Sequence, residues 1–139
     1  MRVDIRWRTV GEDHDEAWRW TRALYAYQHP RTDELLYIGK AAGPTSSLRS
    51  RWKADDKRGF WIDLERQRGI HAHVVLVGAP SLDVATRFSS KLLLDVETLL
   101  IAAMTPWGNI MSRRTRISRP GMVVRCLGAW PGPRTIRDL

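Results

Sequence analysis

The stretch that decides the fold is residues 82–104, LDVATRFSSKLLLDVETLLIAAM. Apolar side chains recur along it at the spacing of one helical stripe. This stripe consists of Val84, Phe88, Leu92, Val96, Leu99 and Ala103. The polar side of the same helix carries Lys91, Asp95 and Thr98. We therefore expect one amphipathic helix from Leu82 to Met104, which ends before Pro106 and Gly108 because these residues do not continue a helix.

Glu97 does not belong to that polar side. The residues three and four positions away in either direction are Leu93, Leu94, Leu100 and Ile101. The carboxylate is therefore expected to project into largely apolar surroundings. An ionised carboxylate is costly to bury unless it is paired or binds a metal ion. The position thus predicts a cationic partner for Glu97, either a metal ion or one of the nineteen arginines of the chain.

The region before this helix alternates between strand-like and helix-like patterns. The predicted elements are, in order, strands over 23–27 and 35–39, helices over 48–52 and 61–68, and a strand over 71–77 closed by Gly78-Ala79-Pro80. The order β-β-α-α-β-α is typical of an α+β domain, with a small antiparallel or mixed three-stranded sheet flanked by helices.

Strand alternation assigns faces to the tyrosines of the predicted hairpin. Tyr25 and Tyr27 are two residues apart, so they share one face of their strand. By the same rule, Tyr37 shares a face with Leu35 and Gly39. The pattern leaves open whether these two faces coincide.

Length and composition favour one globular domain. With 139 residues, 43% of them hydrophobic, the chain can bury a core, and its single cysteine, Cys126, excludes an internal disulfide and a multi-cysteine zinc site. The most apolar stretch, around Leu92 to Met104, is too short and too polar for a membrane span. The N-terminus lacks the apolar run of a secretory signal, so we expect a cytoplasmic protein. We expect an N-terminal extension over 1–21, a domain over 22–112 and a basic C-terminal extension over 113–139. An edge strand is expected in the first extension from the alternation of Val3, Ile5 and Trp7.

The net charge of +8 is carried mainly by arginine, which supplies nineteen of the twenty-three basic residues. A guanidinium can bind a phosphate or carboxylate through two parallel hydrogen bonds, so nucleic acid is the first expected partner. Residues 113–139 hold seven arginines against one acid. In this segment the candidate phosphate contacts are Arg113, Arg114 and Arg116.

Several polar and aromatic residues follow one another in a recognisable order. They are Leu24-Tyr25-Ala26-Tyr27, Tyr37-Ile38-Gly39-Lys40, Leu48-Arg49-Ser50-Arg51, Glu97 and Asn109. Over residues 22–112 this arrangement resembles the GIY-YIG nuclease domain. The second motif is intact as Tyr-Ile-Gly, whereas the first reads Ala23-Leu24-Tyr25 and keeps only its tyrosine.

The resemblance implies a role for each motif residue. Tyr25 is the expected general base or orienter of the nucleophile, with Tyr37 hydrogen-bonding nearby. Because a free phenol has a pKa of about 10, Lys40 is the neighbouring cation expected to assist its ionisation. Arg51 is expected to hold the scissile phosphate. Arg49 is the other candidate for that role and a further substrate contact.

The resemblance also implies a metal site. Glu97 is the expected ligand of Mg²⁺ or Mn²⁺, which would give its carboxylate the partner that the helix demands. Such a cation often uses one protein carboxylate alongside the substrate phosphate. Asn109 is expected to position Glu97 or its loop by hydrogen bonding.

The expected function is that of a divalent-metal-dependent endonuclease that hydrolyses phosphodiester bonds in DNA, with RNA left open. The alternative is a catalytically silent GIY-YIG-like module that binds nucleic acid or protein. A third interpretation, an arginine-rich protein that binds an anionic protein partner, leaves Glu97 unexplained. The sequence does not decide between a single chain, a homodimer and a chain with an accessory subunit, and no membrane partner is expected.

Overall fold

The structure is a computed structural model that describes residues 2–11, 15–20, 22–42, 47–52, 55–82, 89–112 and 121–137. Its strands are β1 (Arg2–Thr9), β2 (Arg22–Gln28), β3 (Leu35–Ala42), β4 (Val74–Leu82), β5 (Val123–Gly128) and β6 (Thr135–Arg137). Its helices are α1 (Leu48–Trp52), α2 (Asp55–Arg68) and α3 (Ser90–Met104), with two short 3₁₀ turns at Glu16–Arg19 and Trp107–Ser112. The described part of the chain has no helix long and apolar enough to cross a membrane.

The described strands form one curled, mixed sheet in the order β3-β2-β4-β1-β5-β6. Strands β1 and β5 run parallel, and every other neighbouring pair is antiparallel. The predicted three-stranded sheet flanked by helices is therefore wrong. The three strands that it lacked are β1, β5 and β6, which come from the segments before and after residues 22–112.

Strand β1 lies inside the sheet, between β4 and β5, and not at an edge as the sequence suggested. Its alternating Val3, Ile5 and Trp7 are all buried in the main core. Trp7 stacks on Trp130, with 4.6 Å between the ring centroids. Both ends of the described chain thus contribute to one core, because each carries an apolar face that needs cover.

Helix α3 begins later than the sequence predicted. Leu82 is the last residue of β4, and the helix begins at Ser90, while the predicted stripe residues Val84 and Phe88 lie outside the described residues. Ser89 caps the first turn, its hydroxyl oxygen accepting from the Leu92 N–H at 3.1 Å.

The expected polar side of α3 is also largely buried. Asp95 and Thr98 are 4% and 7% exposed, and only Lys91 of the three predicted polar positions is exposed. The Thr98 hydroxyl donates to the Leu94 carbonyl at 2.9 Å, so this polar group is satisfied within the helix. The curled sheet therefore covers more of the helix than a three-stranded sheet would.

The helices divide between the two faces of the sheet. Helix α3 packs in the core that contains Leu24, Ile38 and Leu76, whereas Leu48 of α1 and Leu64 of α2 belong to the core on the other face. Residues directly paired across strands share a face, so these two cores fix which side of the sheet each side chain occupies.

Strand β4 continues through the predicted turn Gly78-Ala79-Pro80. Pairing with β2 stops at Gly78, whereas pairing with β1 continues to Leu82. Pro80 therefore lies beyond the end of the pairing with β2. Its missing N–H interrupts no hydrogen bonds to that strand.

We predict that Trp130→Ala lowers the free energy of unfolding by about 3–5 kcal/mol, because it removes a buried ring from the core that β1 and β5 share. Denaturant unfolding followed by far-UV circular dichroism measures the change. Ala129→Ser, at the exposed neighbouring position, is the matched control and should be nearly neutral. A single-step loss below about 1 kcal/mol for Trp130→Ala would contradict a shared core.

Candidate functional site

The candidate site is organised by residues 37–40 of the edge strand β3. Tyr37 and Gly39 contact Tyr25, Ile38 binds Asn109, and Lys40 pairs with Glu97. Because alternate residues of a strand point to opposite faces, this short segment meets groups from both sides of the sheet.

Asn109 closes the outer edge of β3. Its side-chain oxygen accepts from the Ile38 N–H at 2.8 Å, and its side-chain nitrogen donates to the Ile38 carbonyl at 2.9 Å. The residue is 2% exposed and sits in the 3₁₀ turn that follows α3. An edge strand has unpaired backbone groups, so this amide supplies in side-chain form the pairing that a seventh strand would give. Asn109 thus holds the Tyr-Ile-Gly segment, where a bond to Glu97 or its loop was expected.

Gly39 makes room for the Tyr25 ring. The two residues pair directly across β2 and β3. A Cβ added at Gly39 would collide with Cζ and Oη of Tyr25. The Tyr25 ring therefore lies across β3, with its hydroxyl directly over Gly39. The glycine of the second motif is needed for close approach and not for a turn.

The three tyrosines of the chain form one aromatic cluster. The ring centroids of Tyr25 and Tyr37 are 6.0 Å apart, and that of Tyr27 lies 5.4 and 5.7 Å from those of Tyr25 and Tyr37. The two faces that the sequence left open therefore coincide. Tyr37 does not share its face with Leu35, however, because the register shifts between Tyr27 and Gln28 and turns Leu35 to the α3 side.

Arg51 of α1 is the cation beside the Tyr25 hydroxyl. Burial is the main cause that raises the pKa of Tyr25, and the neighbouring Tyr37 and Tyr27 add to it. The charge of Arg51 and its hydrogen bond to the phenol act in the opposite direction. The pKa stays above its ordinary value, so Tyr25 is a protonated hydrogen-bond donor at neutral pH. Arg49 lies instead over the Trp18 ring, with its Cζ 5.5 Å from the ring centroid.

Lys40 and Glu97 form an ion pair on the face that packs against α3. The Lys40 Nζ and Glu97 Oε1 atoms are 3.4 Å apart, and the two side chains are 28% and 15% exposed. Lys40 pairs across the strands with Leu24, which belongs to the α3 core, so its side chain starts on the side opposite the Tyr25 ring. Lys40 was predicted to be the cation beside the Tyr25 phenol. That cation is Arg51, whereas Lys40 forms an ion pair with Glu97.

A divalent cation fits this arrangement only as a single-carboxylate site. The described residues contain no group of three or more His, Cys, Asp or Glu side chains that could hold a metal ion. Glu97 offers a partly exposed carboxylate, which is the ligand type that Mg²⁺ and Mn²⁺ prefer, and water and a phosphate would complete the shell. Lys40 competes with the cation for this carboxylate.

The structure divides the predicted site residues between the two faces of the sheet at β3. Tyr25, Tyr37 and Arg51 lie on one face of the sheet, Lys40 and Glu97 meet on the other, and Asn109 binds the edge between them. The predicted phosphate contacts Arg113, Arg114 and Arg116 lie outside the described residues.

Sequence reasoning missed the packing around the phenols. Phe60 of α2 contacts the Tyr37 and Tyr27 rings at centroid distances of 5.3 and 5.9 Å. Trp61 stacks on His73 at 4.3 Å, and burial lowers the pKa of this histidine. The available signal was the pair of adjacent aromatic residues Phe60 and Trp61 at the start of the helix predicted over 61–68. They form the wall that buries the phenols on the side of α2.

A scan against protein-family models and searches of curated proteins and of solved structures find no match to this chain.

We predict that Asn109→Ala destabilises the protein by about 2–4 kcal/mol, since it leaves the N–H and the carbonyl of Ile38 without their partner. Hydrogen exchange gives a local readout, because the Ile38 amide should lose protection while the Ala26 amide, inside the sheet, keeps it. Equal loss at both amides would contradict a local role for Asn109, and so would unchanged exchange at Ile38.

We predict that Tyr25 makes stability fall at alkaline pH. Its pKa in the native protein is above the ordinary 10.0, so the unfolded chain releases this proton first. The stabilisation is complete below pH 10.0 and is lost as the pH rises toward the native pKa. In Tyr25→Phe, the free energy of unfolding should therefore fall less steeply with pH above pH 10.0.

The comparison is made in a Cys126→Ala background. Burial raises the pKa of the Cys126 thiol from 9.0 to about 11, so the thiol would add a slope of the same sign. Denaturant unfolding at a series of pH values gives the curve for each protein. Identical slopes with tyrosine and phenylalanine at position 25 would show that the phenol is not protected in the native state.

Proposed function

We propose that this chain is a divalent-metal-dependent endonuclease of the GIY-YIG type that hydrolyses phosphodiester bonds in DNA. The cytoplasmic location expected from the sequence is part of the same proposal. The support comes from the arrangement of the motif residues, which are far apart in sequence and chemically suited to phosphoryl transfer.

One observation carries the proposal. The four residues Tyr37 to Lys40 contact the Tyr25 ring, the Asn109 amide and the Glu97 carboxylate in turn. These three partners come from β2, from the turn after α3 and from α3 itself. A strand that needed only to pack would not require a phenol, an amide and a carboxylate at successive positions, so the arrangement favours a site over ordinary core packing.

The geometry suggests a role for each group. Tyr25 is protonated at neutral pH, so it serves as a donor that orients the nucleophilic water or a phosphate oxygen, and not as the base. Arg51 stands beside the phenol, where its guanidinium can hold the phosphate whose bond breaks. Asn109 is a positioning residue, because it acts on the backbone of Ile38.

Glu97 and Lys40 supply the charged part of the site. Glu97 lies on the α3 face, opposite Tyr25 and Arg51, so a cation bound by Glu97 would relieve the negative charge of the same phosphate only if the substrate spans the edge of β3. Lys40 lies 3.4 Å from the same carboxylate, where it holds Glu97 against β3.

The second candidate function is a catalytically silent module that binds nucleic acid. The same ion pair favours it, since Lys40 already gives Glu97 the counter-charge that a buried carboxylate requires. In that case the polar residues around β3 stabilise the strand and the basic surface alone provides binding.

We predict that the purified protein cuts plasmid or single-stranded DNA in the presence of Mg²⁺ or Mn²⁺ and not in the presence of chelator. Glu97→Gln and Tyr25→Phe should each lower the cleavage rate by about a hundredfold or more, because each removes a group from the transition state. Binding, measured by fluorescence anisotropy in chelator, should persist in both variants.

Asp63→Asn, the same type of change at an exposed position of α2, is the matched control and should cut as the wild type does. Binding by the wild type without cutting under any of these conditions supports the silent module. Cutting that survives Glu97→Gln would move the active site away from β3.

A further inference from the structure

The half of the sheet remote from β3 presents a row of arginines. On β1, Arg2, Arg6 and Arg8 alternate with the buried residues of the main core, so they point to the opposite face. Arg2 and Arg6 are exposed and Arg8 is half-buried. Within the part of the chain that the structure describes, no helix packs on this half of that face.

Strands β5 and β6 add two more arginines beside those of β1. Arg125 pairs with Asp4 of β1, and Arg137 pairs with Val123, which itself pairs with Arg2. Directly paired residues share a face, so these arginines lie on the same surface. We call it the arginine face. It consists of Arg2, Arg6, Arg8, Arg125 and Arg137.

Two carboxylates neutralise part of this charge. Asp4 lies 2.7 Å from Arg125 and 3.3 Å from Arg2, and Asp15 binds Arg8 through two hydrogen bonds of 2.7 Å. These pairs hold the three arginines in place across the strands. The five arginines and these two carboxylates together carry a net charge of +3, and no described carboxylate pairs with Arg6 or Arg137.

The arginine face lies on the same side of the sheet as the phenols of the candidate site. Arg8 pairs with Val77, and Val77 pairs with Tyr25. The three side chains therefore form one row across β1, β4 and β2. Trp20, directly after the 3₁₀ turn Glu16–Arg19, lies at the same junction, with the Arg8 guanidinium 5.4 Å from its ring centroid. Val77 and Tyr25 are buried, so the exposed part of the row ends at Arg8, and a polymer bound along the arginine face would reach the margin of the core that holds Tyr25.

We infer that the arginine face is the docking surface for the phosphate backbone of a nucleic acid duplex. Side chains two residues apart on a strand are about 6.7 Å apart, and neighbouring strands are about 4.8 Å apart, so the charges spread in two directions. A duplex presents two phosphate chains with one charge per about 1.7 Å of axis, and matches such an area better than one strand does. This inference rests on the proposed function and adds how the substrate is held.

The spread of the charges in two directions favours nucleic acid over an acidic protein, because a guanidinium fork binds phosphate and carboxylate alike. All five cations are arginines, whose planar fork binds phosphate through two bonds, and three of them are already ordered by Asp4 and Asp15. The residues that pair directly with Arg6 and Asp4 on this face include Ala79, Ser81 and Leu127, which add no negative charge that would repel a phosphate backbone.

The experiment measures binding of a short DNA duplex in chelator, using the Glu97→Gln protein so that cleavage cannot interfere. Arg6→Gln together with Arg137→Gln should weaken binding about tenfold at low salt and reduce the slope of log K against log salt by about 2. The matched control pair, Arg31→Gln with Arg66→Gln, removes the same charge from exposed positions elsewhere and should leave the slope unchanged.

A second measurement does not depend on affinity. A photo-crosslinker on Ser81→Cys, which is exposed and pairs with Asp4, should attach to the duplex, whereas one on Ala102→Cys, exposed on α3, should not. The buried Cys126 does not compete for the label. Equal weakening by the two arginine pairs, crosslinking at Ala102→Cys alone, or stronger binding of single strands overturns the inference. Binding with these signatures but no cleavage by the wild type would sink the nuclease proposal and leave the docking surface standing.

Discussion

The structure depends on covering one helix. Helix α3 carries buried side chains on nearly every side, including Asp95 and Thr98, and a single small sheet could not enclose it. The sheet curls around it and recruits β1, β5 and β6 to do so. Because burial of apolar area is the main favourable term in folding, the helix dictates that segments remote in sequence become neighbouring strands.

The same constraint creates the candidate site. Once α3 lies against β2 and β3, the Glu97 carboxylate lies close to the Nζ atom of Lys40, the polar side chain of β3 on that face. The turn after α3 then brings Asn109 to the strand edge. On the other face, α1 and α2 enclose the phenols and bring Arg51 to Tyr25. A site of this kind is held by rigid elements and not by loops, which fixes the geometry of its donors.

The local part of this arrangement could be predicted from sequence, and the long-range part could not. Tyrosine-rich alternation identified β2 and β3, helix α1 has the predicted bounds, and the apolar neighbours of Glu97 indicated that it needed a cationic partner. The identity of that partner, Lys40, depends on which strand packs beneath the helix. The pairing of β1 with β5 joins segments more than a hundred residues apart, and no spacing rule specifies it. The register shift after Tyr27 likewise changed the face of Leu35 without a glycine or proline to mark it.

The parallel pairing of β1 with β5 sets an order of events during synthesis. Arg2 to Trp7 leave the ribosome before the other described strands, yet one of their two neighbouring strands is made only with residues 123–128. Until then one edge of β1 is unpaired and part of the apolar surface of α3 is exposed to water. Both features attract chaperones and favour aggregation. The native sheet around β1 therefore cannot form before residues 123–128 have been made and have left the ribosome.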